Sequence, residues 1–74
     1  MDSVEFGLAI RQARKHAALT QAEAAALCGV SVPFFSHLEN GKATIQLGKA
    51  LHVAAQLGVQ FVAQSSPVAS EPRK

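Results

Sequence analysis

The sequence is poor in the features that stabilise or export many small proteins. It has a single cysteine, Cys28, so no disulfide can form within the chain, and we expect this thiol to be buried. The three histidines lack the close pairing of zinc ligands. No run approaches the roughly 18 apolar residues of a membrane span, and the first residues, which include Asp2 and Glu5, do not resemble a signal peptide. We therefore expect a cytoplasmic protein with no metal, no cofactor and no membrane contact.

Trp and Tyr are absent, and the 49% of hydrophobic residues are rich in alanine, the best helix former. This composition predicts closely packed helices. The 74 residues suffice for one domain near the lower size limit for an independent core. Such domains usually gain stability from disulfides, a metal or a second subunit. Because the first two are excluded or unexpected, the remaining expectation is an oligomer.

No arrangement of residues indicates catalysis. The sequence lacks a Ser–His–Asp set, a carboxylate pair and a glycine-rich phosphate loop, so we expect no enzyme. The formal net charge is only +2, which does not by itself indicate a nucleic-acid partner. The cations are nevertheless clustered, with Arg11, Arg14 and Lys15 in one stretch and Lys42 and Lys49 near a second. Arg11 and Lys15 could contact phosphate or remain solvated. Lys49 could also hold phosphate, although a solvated lysine is the expectation.

Local patterns predict a helix over about residues 3–17 and a second helix after it. Thr20 and Glu23 form a capping box, in which each side chain accepts a hydrogen bond from the other residue's backbone amide. Gly29 can adopt the left-handed conformation that ends the second helix. The end of this helix therefore lies close to the start of the next.

The third helix is predicted over about residues 32–40. Ser31 is its N-cap, and Pro33 stands in the first turn, where a missing amide hydrogen costs little. Only residues 29–31 separate the second and third helices. Two helices joined by a three-residue turn that contains glycine make the helix-turn-helix arrangement.

A fourth helix is predicted from a cap at Thr44 to its end at Gly58. Its residues that are expected to supply apolar contacts are Ile45, Leu47, Leu51, Ala54, Ala55 and Leu57. Residues 59–64 then alternate as in a short strand, with Val59, Phe61 and Ala63 on one side. This strand has no partner within the chain, so we expect it to pair with its copy in a second chain. The predicted domain covers residues 1–64, and residues 65–74 are predicted to be a disordered tail.

Six short motifs resemble, in order and spacing, the Cro/XRE family of helix-turn-helix regulators. They are Phe6-Gly7, Ile10-Arg11, Arg14-Lys15, Leu19-Thr20-Gln21, Gly29-Val30-Ser31 and Leu38-Glu39-Asn40-Gly41-Lys42. The end of the fourth helix and the strand are similar to the HipB-type antitoxin branch. The resemblance implies an all-α, lambda-repressor-like bundle of four to five helices with a C-terminal dimerisation strand. It also implies a homodimeric repressor on a palindromic DNA operator and, in the antitoxin branch, a HipA-like toxin as partner.

The resemblance further implies roles for residues other than the base-reading positions. Gln21 begins the second helix, where free backbone amides already favour an anion, and it is expected to contact a phosphate. Arg14 and Glu39 are expected to form a partly buried structural ion pair. Asn40 and Lys42 are expected to hold phosphate on the far side of the groove. Phosphate contacts fix the position of the protein on DNA without identifying the bases.

The third helix would be the recognition helix. The family's reading positions are occupied by Val32, Pro33, Phe34, Ser36 and His37, with Ser31 as a phosphate ligand at the helix start. Only Ser36 and His37 can hydrogen-bond a base edge, while Val32 and Phe34 could touch thymine methyl groups. Alternatively, Val32 and Phe34 belong to a protein contact. The second hypothesis is therefore a protein-interaction module that keeps the fold without DNA readout. Phe35 and Leu38 are expected to face the core.

Overall fold

The computed structural model describes residues 2–42 and 46–59, which form four helices in succession. They are α1 (Ser3–His16), α2 (Gln21–Cys28), α3 (Val32–Glu39) and α4 (Leu47–Gln56). The prediction of an all-α helix-turn-helix bundle is confirmed. Most of the predicted strand, including Phe61 and Ala63, and the whole of the predicted tail lie outside the described residues. None of the helices within the described ranges is long and apolar enough to cross a membrane.

Side-chain caps determine where the first three helices begin. Asp2 caps α1 by accepting from the Glu5 amide at 2.8 Å, and Glu5 accepts in return from the Asp2 amide at 3.2 Å. Thr20 and Glu23 form the predicted capping box of α2, with hydrogen bonds of 3.0 and 2.8 Å. Ser31 caps α3 as predicted. These contacts satisfy amides that have no partner inside the helix, so the boundaries follow from local sequence.

The fourth helix departs from the prediction. It begins at Leu47, with Gln46 at the N-cap and no side-chain cap, later than the predicted cap at Thr44. Thr44 itself lies outside the described residues. The residues of α4 that face the core are Ala50, Val53 and Ala54.

Leu47, Leu51 and Ala55, which are expected to supply apolar contacts, do not do so within the core, since all three are exposed. The reason is the helical rotation of about 100° per residue, which places these side chains beside the buried stripe rather than on it. Leu57 is half-buried against the core, and Ile45 lies outside the described residues. One flank of α4 therefore exposes apolar side chains.

The core lies where α1 and α2 pack on α3 and α4 packs on α2. Its buried members are Ile10, Ala24, Ala25, Cys28, Phe35, Leu38, Ala50, Val53 and Ala54. The predicted burial of Cys28, Phe35 and Leu38 is confirmed. Small residues dominate the set, which lets short helices approach closely.

Gly7 allows α1 to approach α3 closely. A Cβ atom at this position would lie 2.5 Å from the Leu38 carbonyl oxygen and 2.6 Å from that of Glu39. Only glycine fits in this gap, because both neighbours are backbone atoms that cannot move independently. The contact fixes the C-terminal end of α3 against α1.

Candidate nucleic-acid interface

The turn between α2 and α3 sets the direction of the third helix. Gly29 has a φ of 72°, the left-handed conformation that glycine adopts without steric cost. Its amide donates to the Ala26 carbonyl at 3.2 Å, and the Val30 amide donates to the Ala25 carbonyl at 3.0 Å. These two bonds close the end of α2, and Ser31 starts α3 at once. The geometry is a helix-turn-helix with a three-residue turn.

A buried ion pair holds α3 to α1. The Arg14 guanidinium donates from Nε to Glu39 Oε2 at 2.5 Å and from Nη2 to Glu39 Oε1 at 3.2 Å. The two side chains are only 11% and 2% exposed. Arg14 Nη1 also donates to the Leu19 carbonyl at 2.9 Å. A two-pronged bond of this type fixes both distance and orientation, so the pair is suited to position α3.

Gln21 joins the same cluster. Its Nε2 donates to Glu39 Oε1 at 2.9 Å, so the side chain that begins α2 is oriented by the last residue of α3. An amide nitrogen has two hydrogens, and this bond uses one of them. The contact links three helices at one carboxylate and defines the direction of the Gln21 side chain.

The first turn of α3 is open to solvent. Ser31 Oγ accepts from the Phe34 amide at 3.1 Å, and Val32 and Pro33 are exposed. One turn further, Ser36 is half-buried and His37 is exposed. The predicted reading positions thus divide into an exposed group and a more protected one. The exposed group combines an apolar surface at Val32 with a hydrogen-bonding ring at His37.

Phe34 differs from its neighbours in α3. Its side chain is half-buried and packs against the hydrophobic core. The Lys49 ammonium lies over its ring, 5.5 Å from the ring centroid. A cation–π interaction requires the cation to lie within about 6 Å of the ring centroid, and this contact meets that limit. Solvation is the expectation for Lys49 from the sequence, and no local pattern indicates this contact, because the two residues belong to different helices.

The turn after α3 carries the remaining predicted phosphate ligands. Gly41 has a φ of 76°, and the Lys42 amide donates to the His37 carbonyl at 3.1 Å. Ser3 Oγ donates to the Gly41 carbonyl at 2.9 Å, which ties this turn to the start of α1. The side chains of Asn40 and Lys42 are exposed. Both side chains are therefore accessible, and hydrogen bonds to α1 and α3 fix the turn that carries them.

Two further contacts define the other end of the domain. Val59 is half-buried against the core, and its amide donates to the Ala54 carbonyl at 2.8 Å. His52 Nε2 lies 3.2 Å from the Cys28 carbonyl oxygen, which joins α4 to the last turn of α2. Burial raises the pKa of the Cys28 thiol. Among the described residues, no three His, Cys, Asp or Glu side chains form a group that could hold a metal ion.

Comparisons with known proteins agree with this geometry. A family described as a helix-turn-helix domain matches residues 5–61. The chain is also 43% identical over 54 residues to an uncharacterized HTH-type transcriptional regulator from Sinorhizobium fredii. That match covers 73% of this chain and 71% of the relative. Together they support DNA-binding regulation as the class of function. The chain belongs to the helix-turn-helix domain family.

Proposed function

We propose that this protein is a sequence-specific DNA-binding transcriptional repressor that acts as a homodimer on a palindromic operator. The observation that carries the proposal is the exposed first turn of α3, a helix whose C-terminal end is held against α1 by the Arg14–Glu39 pair. A recognition helix must present its first turn to the major groove in a fixed orientation. The ion pair and the Gly7 contact supply that orientation from two points on α1.

Base recognition in this proposal is limited to a few side chains. His37 and Ser36 hydrogen-bond base edges, and Val32 contacts a thymine methyl group. Phosphate contacts come from the two ends of α3, with Ser31 before it and Lys42 after it. Gln21 donates its second amide hydrogen to a phosphate near the start of α2, where the helix dipole favours an anion.

The proposed dimer is supported by the apolar flank of α4. Leu47 and Leu51 are four residues apart, so their exposed side chains lie on the same face of the helix. These two leucines supply an apolar surface that a second copy would cover. A two-fold axis would present two copies of α3 to successive major grooves, roughly 34 Å apart.

The resemblance to the HipB-type branch extends the proposal to an antitoxin that represses its own operon. In that case the protein would also bind a HipA-like, kinase-like toxin. The second candidate function, a protein-interaction module without DNA readout, is favoured by the apolar surface of Val32 and Pro33. The two candidates differ in whether the protein selects a DNA sequence.

Selection from a random DNA duplex library tests the main proposal. The purified protein should enrich a palindromic sequence with two half-sites. His37→Ala should then relax the preference at one or two positions of each half-site, at a cost of about 1–3 kcal/mol for each lost base contact. His16→Ala removes an exposed histidine from α1 and should leave the preference unchanged. If no sequence is enriched, the protein-interaction module becomes the better description.

Sedimentation velocity tests the dimer with a matched pair of variants. Leu51 and Leu8 are each 47% exposed, on α4 and α1 respectively. Leu51→Asp should yield monomers, because a charge would enter the proposed interface, whereas Leu8→Asp should leave the dimer intact. Phe61→Pro should also yield monomers, since proline removes an amide donor and a large apolar side chain. Equal dimerisation of all three variants would contradict the proposed interface.

A further inference from the structure

The contact between Phe34 and Lys49 joins two helices that have their main packing partners elsewhere. The recognition helix α3 packs on α1 and α2, and α4 packs chiefly on α2. The Phe34 ring is held by the core on one side and carries the Lys49 ammonium at 5.5 Å from its centroid. An exposed lysine is therefore held at a defined place by a partly buried aromatic ring.

That place is beside the first turn of α3. Phe34 is the third residue of α3, and Lys49 is the third residue of α4, so each stands in the first turn of its helix. A lysine at the start of a helix is electrostatically unfavourable, because its charge adds to the positive end of the helix dipole. The ring offsets part of this cost while leaving the ammonium accessible to solvent. The result is a fixed positive charge next to the turn that is proposed to face DNA.

We propose that Phe34 is a platform that positions Lys49 as a ligand for a DNA backbone phosphate beside the recognition helix. The inference rests on the proposed function and deepens it, because it adds α4 to the interface and gives Phe34 a role other than base reading. A lysine normally loses considerable rotamer freedom when it binds a phosphate. The aromatic contact restricts those rotamers before DNA arrives.

Two consequences distinguish this role from base recognition. A phosphate contact carries no sequence information, so Lys49 contributes affinity for every DNA sequence. Phe34 acts only through Lys49, so its replacement should weaken binding without changing the preferred sequence. A thymine-reading Phe34 would instead change that preference.

The experiment measures the salt dependence of binding to a fluorescein-labelled, mixed-sequence DNA duplex by fluorescence anisotropy. A mixed sequence suffices because non-specific binding depends on phosphate contacts. The variants are Lys49→Ala, Lys49→Arg, Phe34→Leu and the double variant Phe34→Leu/Lys49→Ala. Lys74→Ala is the charge-matched control. Circular dichroism establishes that each variant is folded at the assay temperature.

Lys49→Ala should reduce the magnitude of the salt slope by about 0.9, the value for one neutralised phosphate. Lys49→Arg should preserve the slope, because arginine keeps the charge and also stacks on aromatic rings. Phe34→Leu should weaken binding about two- to five-fold, the range expected for the loss of an exposed cation–π contact. In the Lys49→Ala background the same change should have no further effect. Lys74→Ala should leave the slope at its wild-type value.

An unchanged slope for Lys49→Ala would overturn the inference while leaving the proposed function intact. An equal decrease for Lys74→Ala would overturn it too, because the effect would then reflect overall charge. Equal weakening by Phe34→Leu in both backgrounds would show that the ring does not act through Lys49. If the wild-type protein fails to bind the duplex at low salt, the proposed function fails, and this inference fails with it.

Discussion

Removal of the buried carboxylate of Glu39 should strongly destabilise the protein. The Glu39 side chain is 2% exposed and accepts three hydrogen bonds, two from Arg14 at 2.5 and 3.2 Å and one from Gln21 at 2.9 Å. Glu39→Ala would remove all three at once. The guanidinium of Arg14, itself only 11% exposed, would remain without its counter-ion.

The expected loss follows from this burial. Removal of one partner from a buried ion pair costs about 3–5 kcal/mol. The total stability of a domain of this size is about 4–11 kcal/mol, from roughly 0.05–0.15 kcal/mol per residue. Glu39→Ala should therefore unfold a large fraction of the protein or leave it marginally stable. The double variant Arg14→Met/Glu39→Met should be more stable than Glu39→Ala, because no unpaired charge stays buried. It should not exceed the wild type greatly, since the Gln21 amide and the Leu19 carbonyl also lose their partners.

Urea unfolding followed by far-ultraviolet circular dichroism measures these differences. The helical signal suits a chain without Trp or Tyr, and a fixed protein concentration is needed because dimerisation would affect stability. Glu23→Ala is the control, since it removes an exposed glutamate from a capping box and should cost about 1 kcal/mol. A loss below about 1 kcal/mol for Glu39→Ala would match a solvated pair and refute the reasoning. So would a double variant less stable than the single one.

Three further predictions concern packing, backbone conformation and the thiol. Gly7→Ala should destabilise the protein by about 1–3 kcal/mol in urea unfolding, because the new Cβ would lie 2.5 Å from the Leu38 carbonyl oxygen. Alanine otherwise favours helix, so a gain in stability would show that α1 can move away at little cost. Ala18→Gly should raise the melting temperature, with a gain of about 1 kcal/mol or less, since Ala18 has a φ of 61°. Ala18→Val, which makes the left-handed conformation more costly, should lower it. Cys28 should react slowly with a thiol reagent at neutral pH in the folded protein and rapidly in urea, because burial raises its pKa and lowers the thiolate fraction. Equal rates in both conditions would contradict this.

The helix boundaries that could be predicted are those with a local chemical cause. Thr20, Gly29 and Ser31 act within a few residues of their own positions, so the sequence is sufficient to place the turn between α2 and α3. The start of α4 has no such cause, because Gln46 makes no capping bond. The burial of Leu47 could not be predicted either, because an apolar residue near the edge of a helix face can point to the core or to the protein surface.

The candidate site was less predictable, because its contacts join residues from different helices. The Arg14–Glu39 pair was expected only through resemblance to a family. The bond from Gln21 to Glu39 and the cation–π contact of Phe34 depend on how α2, α3 and α4 pack. Residue type and spacing along one chain do not determine such distances. Gly7 was recognised as part of a motif, but its role emerged only from the position of α3.

The low net charge is compatible with DNA binding because the described carboxylates are engaged within the fold, whereas several cations are exposed. Within the described residues, Glu39 is buried against Arg14, and the other carboxylates belong to the capping boxes of α1 and α2. The exposed cations in the part of the chain that the structure describes are Arg11, Lys15, Lys42 and Lys49. If all four met phosphates, one chain would contribute a salt slope of about −3.6, at roughly −0.9 per contact. Two chains on one operator would double this electrostatic contribution. The proposed dimer would therefore raise the affinity for DNA as well as allow recognition of a palindrome.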